Sequence, residues 1–282
     1  MLRKNVSRTP DLGSSKSKLN IMPMYFPALK ANGELYQYLD GDTPVNGIPY
    51  YDENLQLAYT RTEAKPIVVV YTDAVPETGA EDVWVAISRD DGNTFKRKNV
   101  ARGADRSSFD VTVINEEGEE ELVPFYGEAK KPVFQVKGNK ILVAWTSKYC
   151  KGGRPAYSIK VDDPETDEIE DDYPYDDPFY VEDIWGVSGP QRSVDYTDQG
   201  FPEVGEVPYS CVWTARGTLV TEEMLADTEG YWATALKDPL DDTTTYSVGD
   251  IVWFKPERLT SGRRDANQVF MGAADDAGFA IA

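Results

Sequence analysis

The octapeptide Ser88-Arg89-Asp90-Asp91-Gly92-Asn93-Thr94-Phe95 follows directly on a strand-like run, Val83-Trp84-Val85-Ala86-Ile87, and restricts the fold more than any other stretch of the chain. A short carboxylate at Asp90 accepts hydrogen bonds from turn amides, and Gly92 tolerates positive φ. Phe95 opens a return strand by covering apolar surface. The segment therefore predicts a hairpin fastened at its tip by Ser88, Asp90, Gly92, Thr94 and Phe95. Such a fastener is structural and names an architecture before it names an activity.

Around this hairpin, helical periodicity is almost absent. Apolar runs of about four to eight residues, heavy in Val, Ile, Tyr and Trp, alternate with Gly, Pro and Asp clusters, the pattern of many short strands. The fold class is all-β. Residues 1–20, rich in Lys, Arg, Ser and Asn, read as an N-terminal arm, and residues 21–282 as one strand-rich unit. Three runs end in aromatic-Thr: Ile67 to Thr72, Ile141 to Thr146 and Tyr209 to Thr214. They align as copies of one strand. Their aromatics, Tyr71, Trp145 and Trp213, are spaced more widely than the ~40 to 50 residues of a lean propeller blade, so the units must carry insertions near 105–125 and 161–200. The strand pair around Val133 to Lys140 has an echo in Val269 to Gly278.

The octapeptide fills the pattern Ser-x-Asp-x-Gly-x-Thr-aromatic and resembles the Asp box of the sialidase-like β-propellers. That resemblance implies four-stranded antiparallel blades with the box on an outer hairpin. The repeat calls for a further aromatic just beyond Ala282, so the chain reads as an incomplete segment of a larger propeller, completed by further sequence or by a second chain along an open strand edge. The alternative is a divergent last strand that closes the ring against the N-terminal segment.

Composition narrows the chemistry. With 49 acidic and 29 basic residues the net charge is −20, which repels phosphate backbones and anionic membrane surfaces. Nucleic acid is a poor partner. The chain has no histidine, which removes Ser-His-Asp and Cys-His catalysis and imidazole metal sites. No run approaches the ~20 apolar residues of a membrane span, and the opening residues lack the apolar core of a signal peptide. Cys150 and Cys211 form no Cys-x-x-Cys pair. The repeat alignment sets them roughly 23 Å apart at 3.3 Å per strand residue, so two separate thiols are expected, with Cys211 buried as a small hydrophobe.

Candidate sites are few. The acidic run 162–177 reads either as a solvated loop or as a calcium site using Asp171, Asp172, Asp176 and Asp177, calcium being the one cofactor considered. Arg154, Arg192, Arg216, Arg258, Arg263 and Arg264 stand out in so acidic a chain. They read as buried partners of carboxylates bracing the inserted loops, or as a cluster holding a substrate carboxylate. Trp84, Trp145, Trp213, Trp232 and Trp253 lie in or beside strand-like runs and read as core. No residue is nominated as catalytic.

Two longer segments, Ser188 to Thr197 leading to Gly205 to Tyr209, and Trp253 to Ala266, make the chain from about residue 20 onward similar to the choice-of-anchor O family. These are large exported bacterial proteins with Asp-box repeats. The resemblance implies an extracellular or cell-surface location and a protein or glycan partner, and it implies no reaction. The expected role is binding, adhesion or extracellular assembly through loops. The alternatives are a sialidase-like glycan-processing hydrolase and a structural subunit of an extracellular filament or matrix.

Overall fold

The computed structural model describes residues 6–7, 15–104, 106–115, 117–150, 161–162, 169–170, 191–194, 204–208, 210–236, 245–260, 266, 268–274 and 278–282. Antiparallel strands dominate them, so the chain is all-β. The first sheet has four strands, β1 (Ser15–Ile21), β2 (Ile67–Ala74), β3 (Glu81–Ser88) and β4 (Lys96–Asn99), in that spatial order. A hairpin of β5 (Ser107–Ile114) and β6 (Glu120–Tyr126) follows. The second sheet runs β7 (Ala129–Lys137), β8 (Lys140–Ser147), β9 (Cys211–Leu219) and β10 (Ile251–Trp253), with the short β11 (Glu257–Arg258) also paired to β9. A last hairpin joins β12 (Met271–Ala274) to β13 (Gly278–Ile281).

Strand alternation builds the core. Val68 and Val70 of β2, Val83, Val85 and Ile87 of β3, Ile141, Val143 and Trp145 of β8, and Trp213 and Ala215 of β9 point every second side chain into one apolar layer between the two sheets. Each such side chain contributes about 1.5–3 kcal/mol through its removal from water. The opposite face of the second sheet is apolar too. Ala144 and Val212 pack there with Val269, Met271 and Ile281, so the β12–β13 hairpin forms a third layer. The expected echo of the β7–β8 hairpin is thus a hairpin, stacked beside its counterpart.

Residues 26–64 make a small cap. The hairpins Gln37–Asp40 with Thr43–Asn46 and Ile48–Tyr51 with Leu57–Arg61 enclose a minor core of Ala28, Ile48 and Ala64. Two helices, α1 (Glu222–Ala226) and α2 (Tyr231–Ala235), cover Val220 and Val252. Thr221 caps α1 by accepting from the Met224 amide at 3.3 Å. No helix among the described residues is long and apolar enough to cross a membrane.

Several expectations are corrected. β2 and β8 occupy the same second place in their sheets, but β9 is no third copy. It lies beside β8 in the same sheet, antiparallel, with Trp145 directly opposite Trp213. An apolar-aromatic-Thr pattern reads alike for an equivalent strand of another sheet and for an antiparallel neighbour, because both bury one face. The cysteine separation fails for the same reason. β8 pairs Ser147 with Cys211, the chain bends just past Ser147, and Cys150 comes within 5.6 Å (Cα–Cα) of Cys211 in a buried disulfide. Residues 15–20 of the expected arm belong to β1, paired along β2, and the insertion near 105–125 is a hairpin.

Candidate functional site

The turn between β3 and β4 carries the five residues singled out above. Asp90 is completely buried, and its Oδ1 accepts from the Ser88 hydroxyl and the Thr94 amide, both at 2.8 Å, while Oδ2 accepts from the Thr94 hydroxyl at 2.6 Å. Ser88 Oγ in turn accepts from the Gly92 amide at 2.8 Å. Gly92 has φ +83°, the left-handed region that a glycine enters without strain. Phe95 is half-buried, and β4 begins at the next residue.

This tip is covered by the cap. The buried Arg89 reaches across to the Gly249 carbonyl at 2.5 Å and Asp250 at 3.1 Å, and Ala31 donates to Thr94 Oγ1 at 2.7 Å. Tyr50 donates from its hydroxyl to Asp91 at 2.8 Å. Burial, with the Asp91 hydrogen bond second, pushes the Tyr50 phenol up to about 12. The β3–β4 turn is a structural joint linking the first sheet, the cap and the approach to β10.

A cleft of about 350 Å³ lies where β4 and the loop after it meet β9, β10 and residues 253–256. Lys98, Arg102 and Arg106 line it from one side and Lys255 from the other. Tyr149, Trp213, Trp253 and Phe254 supply its aromatic lining. No carboxylate lines it among the described residues, in a chain of net charge −20.

Each wall is built from below. Asp82, itself buried, accepts from the Gly103 and Ala104 amides at 3.0 Å and from Asn99 Nδ2 at 2.7 Å. Asn99 Oδ1 accepts from the Ala101 and Arg102 amides at 3.1 and 2.9 Å. These bonds fold the loop so that Arg102 stands exposed at φ +48°, a left-handed position where a non-glycine residue costs strain. Opposite, the Trp253 indole lies across Gly217, where an added Cβ would come within 3.0 Å of the ring. Tyr149 is fixed by its neighbour's disulfide, by the Trp213 indole N–H donating to its carbonyl at 2.7 Å, and by Gly127, whose missing side chain leaves room for the Tyr149 backbone. Arg106 stands over the Tyr149 ring, 5.8 Å from its centroid.

Behind this lining sits Arg258. It is opposite Trp213 in the β9–β11 register, so the two side chains share a face, and it is completely buried. Among the described residues none of its three side-chain nitrogens has a hydrogen-bond partner. Burial pulls its guanidinium down to about 10, with the nearby Tyr149 opposing the shift. Among the described residues no carboxylate pairs with Arg258, where a buried arginine-carboxylate pair was expected.

Of the other arginines, Arg216 pairs with Glu257 at 3.2 Å in an exposed position. Arg192 falls in a strand, Gln191–Val194, of which only the backbone is described. Arg154, Arg263 and Arg264 lie outside the described residues, as do the four calcium candidates Asp171, Asp172, Asp176 and Asp177. Among the described residues no group of three or more Cys, Asp or Glu gathers in a way that would hold a metal ion. The tryptophans expected in the core are there in the main, Trp145 and Trp213 buried and Trp232 and Trp253 packed against core clusters.

Sequence reasoning missed Lys98, Arg102, Arg106, Tyr149, Phe254 and Lys255. A signal existed for the first three, because Lys96, Arg97, Lys98, Arg102 and Arg106 crowd one short stretch with Asp105 as its lone acid. Compared with known proteins, the chain matches no family model, no curated protein and no solved structure.

Proposed function

We propose that the chain has the blades of an exported bacterial β-propeller of the Asp-box kind, and that it acts outside the cell by binding, in adhesion or extracellular assembly. No reaction is assigned to it. The observation that carries the binding reading is the cleft, where Arg102 and Arg106 are exposed beside Tyr149 and Trp253, with no carboxylate in the lining among the described residues. A soluble acidic chain that gathers cations and aromatics around one concavity keeps a recognition surface there.

The rest of the reading draws on other features. Two antiparallel sheets stack through a shared core with a hairpin as a third layer, the arrangement expected of successive blades, and the hydrogen-bonded turn at Ser88–Phe95 joins the last two strands of the first sheet. The buried Cys150–Cys211 disulfide supports an oxidising compartment.

Tryptophan fluorescence tests the binding role, because Trp213 and Trp253 line the cleft. The oxidised protein is titrated with a panel of soluble glycans and of surface-protein fragments. At least one of them should change the emission saturably, and Trp253→Ala should abolish that change. Saturable binding that survives Trp253→Ala, or turnover of a panel member into product, would contradict the reading.

A further inference from the structure

The face of the first sheet that turns away from the second sheet is apolar as well. Val68 and Val70 of β2 point inward, so Ile67, Val69 and Tyr71 point the other way. The register sets Leu19 of β1 beside Val69, and Ile21 beside Ile67. Leu19 is 63% exposed and Ile21 52%, with Ile67 and Val69 half-buried. Tyr71 and Ala86 on this face are buried, and Arg97, opposite Ala86, donates to the Ser7 carbonyl. The face is therefore covered on its β4 side and open on its β1 side.

One sheet further on, the corresponding surface is buried. β2 and β8 hold the same second place in their sheets, and the run from Ile67 to Tyr71 matches that from Ile141 to Trp145. In step with Ile67, Val69 and Tyr71 come Ile141, Val143 and Trp145, all buried in the layer against the first sheet. The first sheet thus carries the surface through which the second sheet receives a preceding layer, and presents it to solvent around Leu19 and Ile21.

At the far end of the stack, the β12–β13 hairpin turns Met271, Ala273, Phe279 and Ile281 to one side and Gly272, Ala274, Gly278 and Ala280 to the other. The second set is exposed throughout, and a Cβ added at Gly272 or Gly278 would meet nothing. The two ends are complementary in shape, because branched aliphatic side chains seat closely on strands that carry nothing larger than a methyl group. They are also uncharged. Copies of a chain with net charge −20 repel one another, and contact between two uncharged faces keeps the carboxylates out of the interface.

We infer that a second copy of this chain covers the open face, laying the outer side of its β12–β13 hairpin on Leu19, Ile21, Ile67 and Val69. The contact is heterologous: each copy offers its first sheet to one neighbour and its hairpin to the next, which propagates into a ring or a filament. This inference rests on the assembly side of the reading above and names the partner. The cleft takes no part in it.

Sedimentation velocity of the intact oxidised chain, across concentration and salt, tests it. The parent should form dimers and larger species as concentration rises, and more of them in high salt, because screening relieves the repulsion while the contact holds no ion pair. Leu19→Lys with Ile21→Lys, or Ala274→Lys with Ala280→Lys, should each weaken association at least about tenfold. All four positions are exposed, so the fold survives, and lysine lowers the net negative charge, so general repulsion is not the cause. Leu19→Thr with Ile21→Thr keeps strand propensity and should act in the same direction. Mixing the two lysine variants should restore one intact contact and give a one-to-one dimer that grows no further. A parent that stays monomeric at every concentration and salt overturns the inference. Association lost in only one lysine variant means that like faces meet, and association kept by both, or weakened by salt, places the contact elsewhere; each overturns head-to-tail docking. Trp253→Ala should leave association within about twofold. Failure of assembly is thereby separate from failure of the cleft to bind, which its own titration reports.

Discussion

Tyr149 and Trp213 hold each other twice, through stacked rings with centroids 5.7 Å apart at 18° and through the indole N–H of Trp213 donating to the Tyr149 carbonyl at 2.7 Å. The residue after Tyr149 is Cys150, bonded to Cys211 two positions before Trp213 on β9. One aromatic shelf of the cleft is therefore tied to its strand by a covalent link, a hydrogen bond and ring contact.

Reducing that link should loosen the shelf and the fold together. With the cysteines 61 positions apart, chain entropy assigns the disulfide about 4 kcal/mol. Thermal melts with and without reductant, repeated on Cys150→Ser with Cys211→Ser, should show a large drop in Tm and a shift in tryptophan emission. An unchanged Tm under full reduction would mean that the link is not formed in solution.

The box turn should be costly to break. Asp90 accepts three hydrogen bonds while completely buried, so Asp90→Ala should lose about 2–4 kcal/mol in denaturant unfolding. Asp90→Asn keeps an Oδ1 acceptor for Ser88 and Thr94 and should lose less. Equal losses for the two variants would argue that volume, not hydrogen bonding, holds the turn.

Arg258 should destabilise the protein that contains it. Burial pulls its guanidinium well below the ordinary arginine value, to about 10, so at neutral pH burial of the charge costs on the order of 3 kcal/mol. Arg258→Met should therefore raise Tm. The sign with pH follows from the lowered value: below about pH 10 both folded and unfolded chains are charged and the penalty is complete, and above it the folded protein sheds the proton first, so the gain from the substitution shrinks. A variant less stable than the parent at pH 7 would contradict an unpaired charge.

Tyr50 carries the opposite pH signature. Its phenol is raised from 10.0 to about 12 in the fold, so its contribution to stability is intact below pH 10 and is lost as pH climbs through 12. Burial raises the Tyr36 and Tyr71 phenols as well, so ultraviolet titration should find several late-ionising tyrosines, of which Tyr50→Phe removes one step near pH 12, with the cap loosening from the Asp91 tip over the same range. Retention of that late step in Tyr50→Phe would assign it to another residue.

What could be read from the chain beforehand was local. The β3–β4 hairpin and its fastener involve residues a few positions apart, so spacing alone predicted their geometry. The all-β class followed from short alternating runs such as Ile141 to Trp145. The disulfide and the cleft needed the relative places of distant strands. Cys150 meets Cys211 because β8 and β9 are antiparallel neighbours, and the cleft draws on 98–106, on Tyr149 and on 253–256. No periodicity within one segment encodes that convergence. The buried, unpartnered state of Arg258 was invisible for a similar reason: its sequence neighbourhood, Glu257 included, offers a carboxylate that the fold gives to Arg216 instead.

Hydrogen exchange on the oxidised protein, alone and saturated with whichever glycan or surface-protein fragment binds it, tests the central claim most directly, because it locates a ligand without presuming where it sits. Backbone amides in 98–106, around Tyr149 and in 253–256 should exchange more slowly when the ligand is bound, while the cap at 26–64 stays unchanged. Protection confined to the cap or to the β12–β13 hairpin, or none under saturating ligand, would contradict a binding cleft between the two sheets.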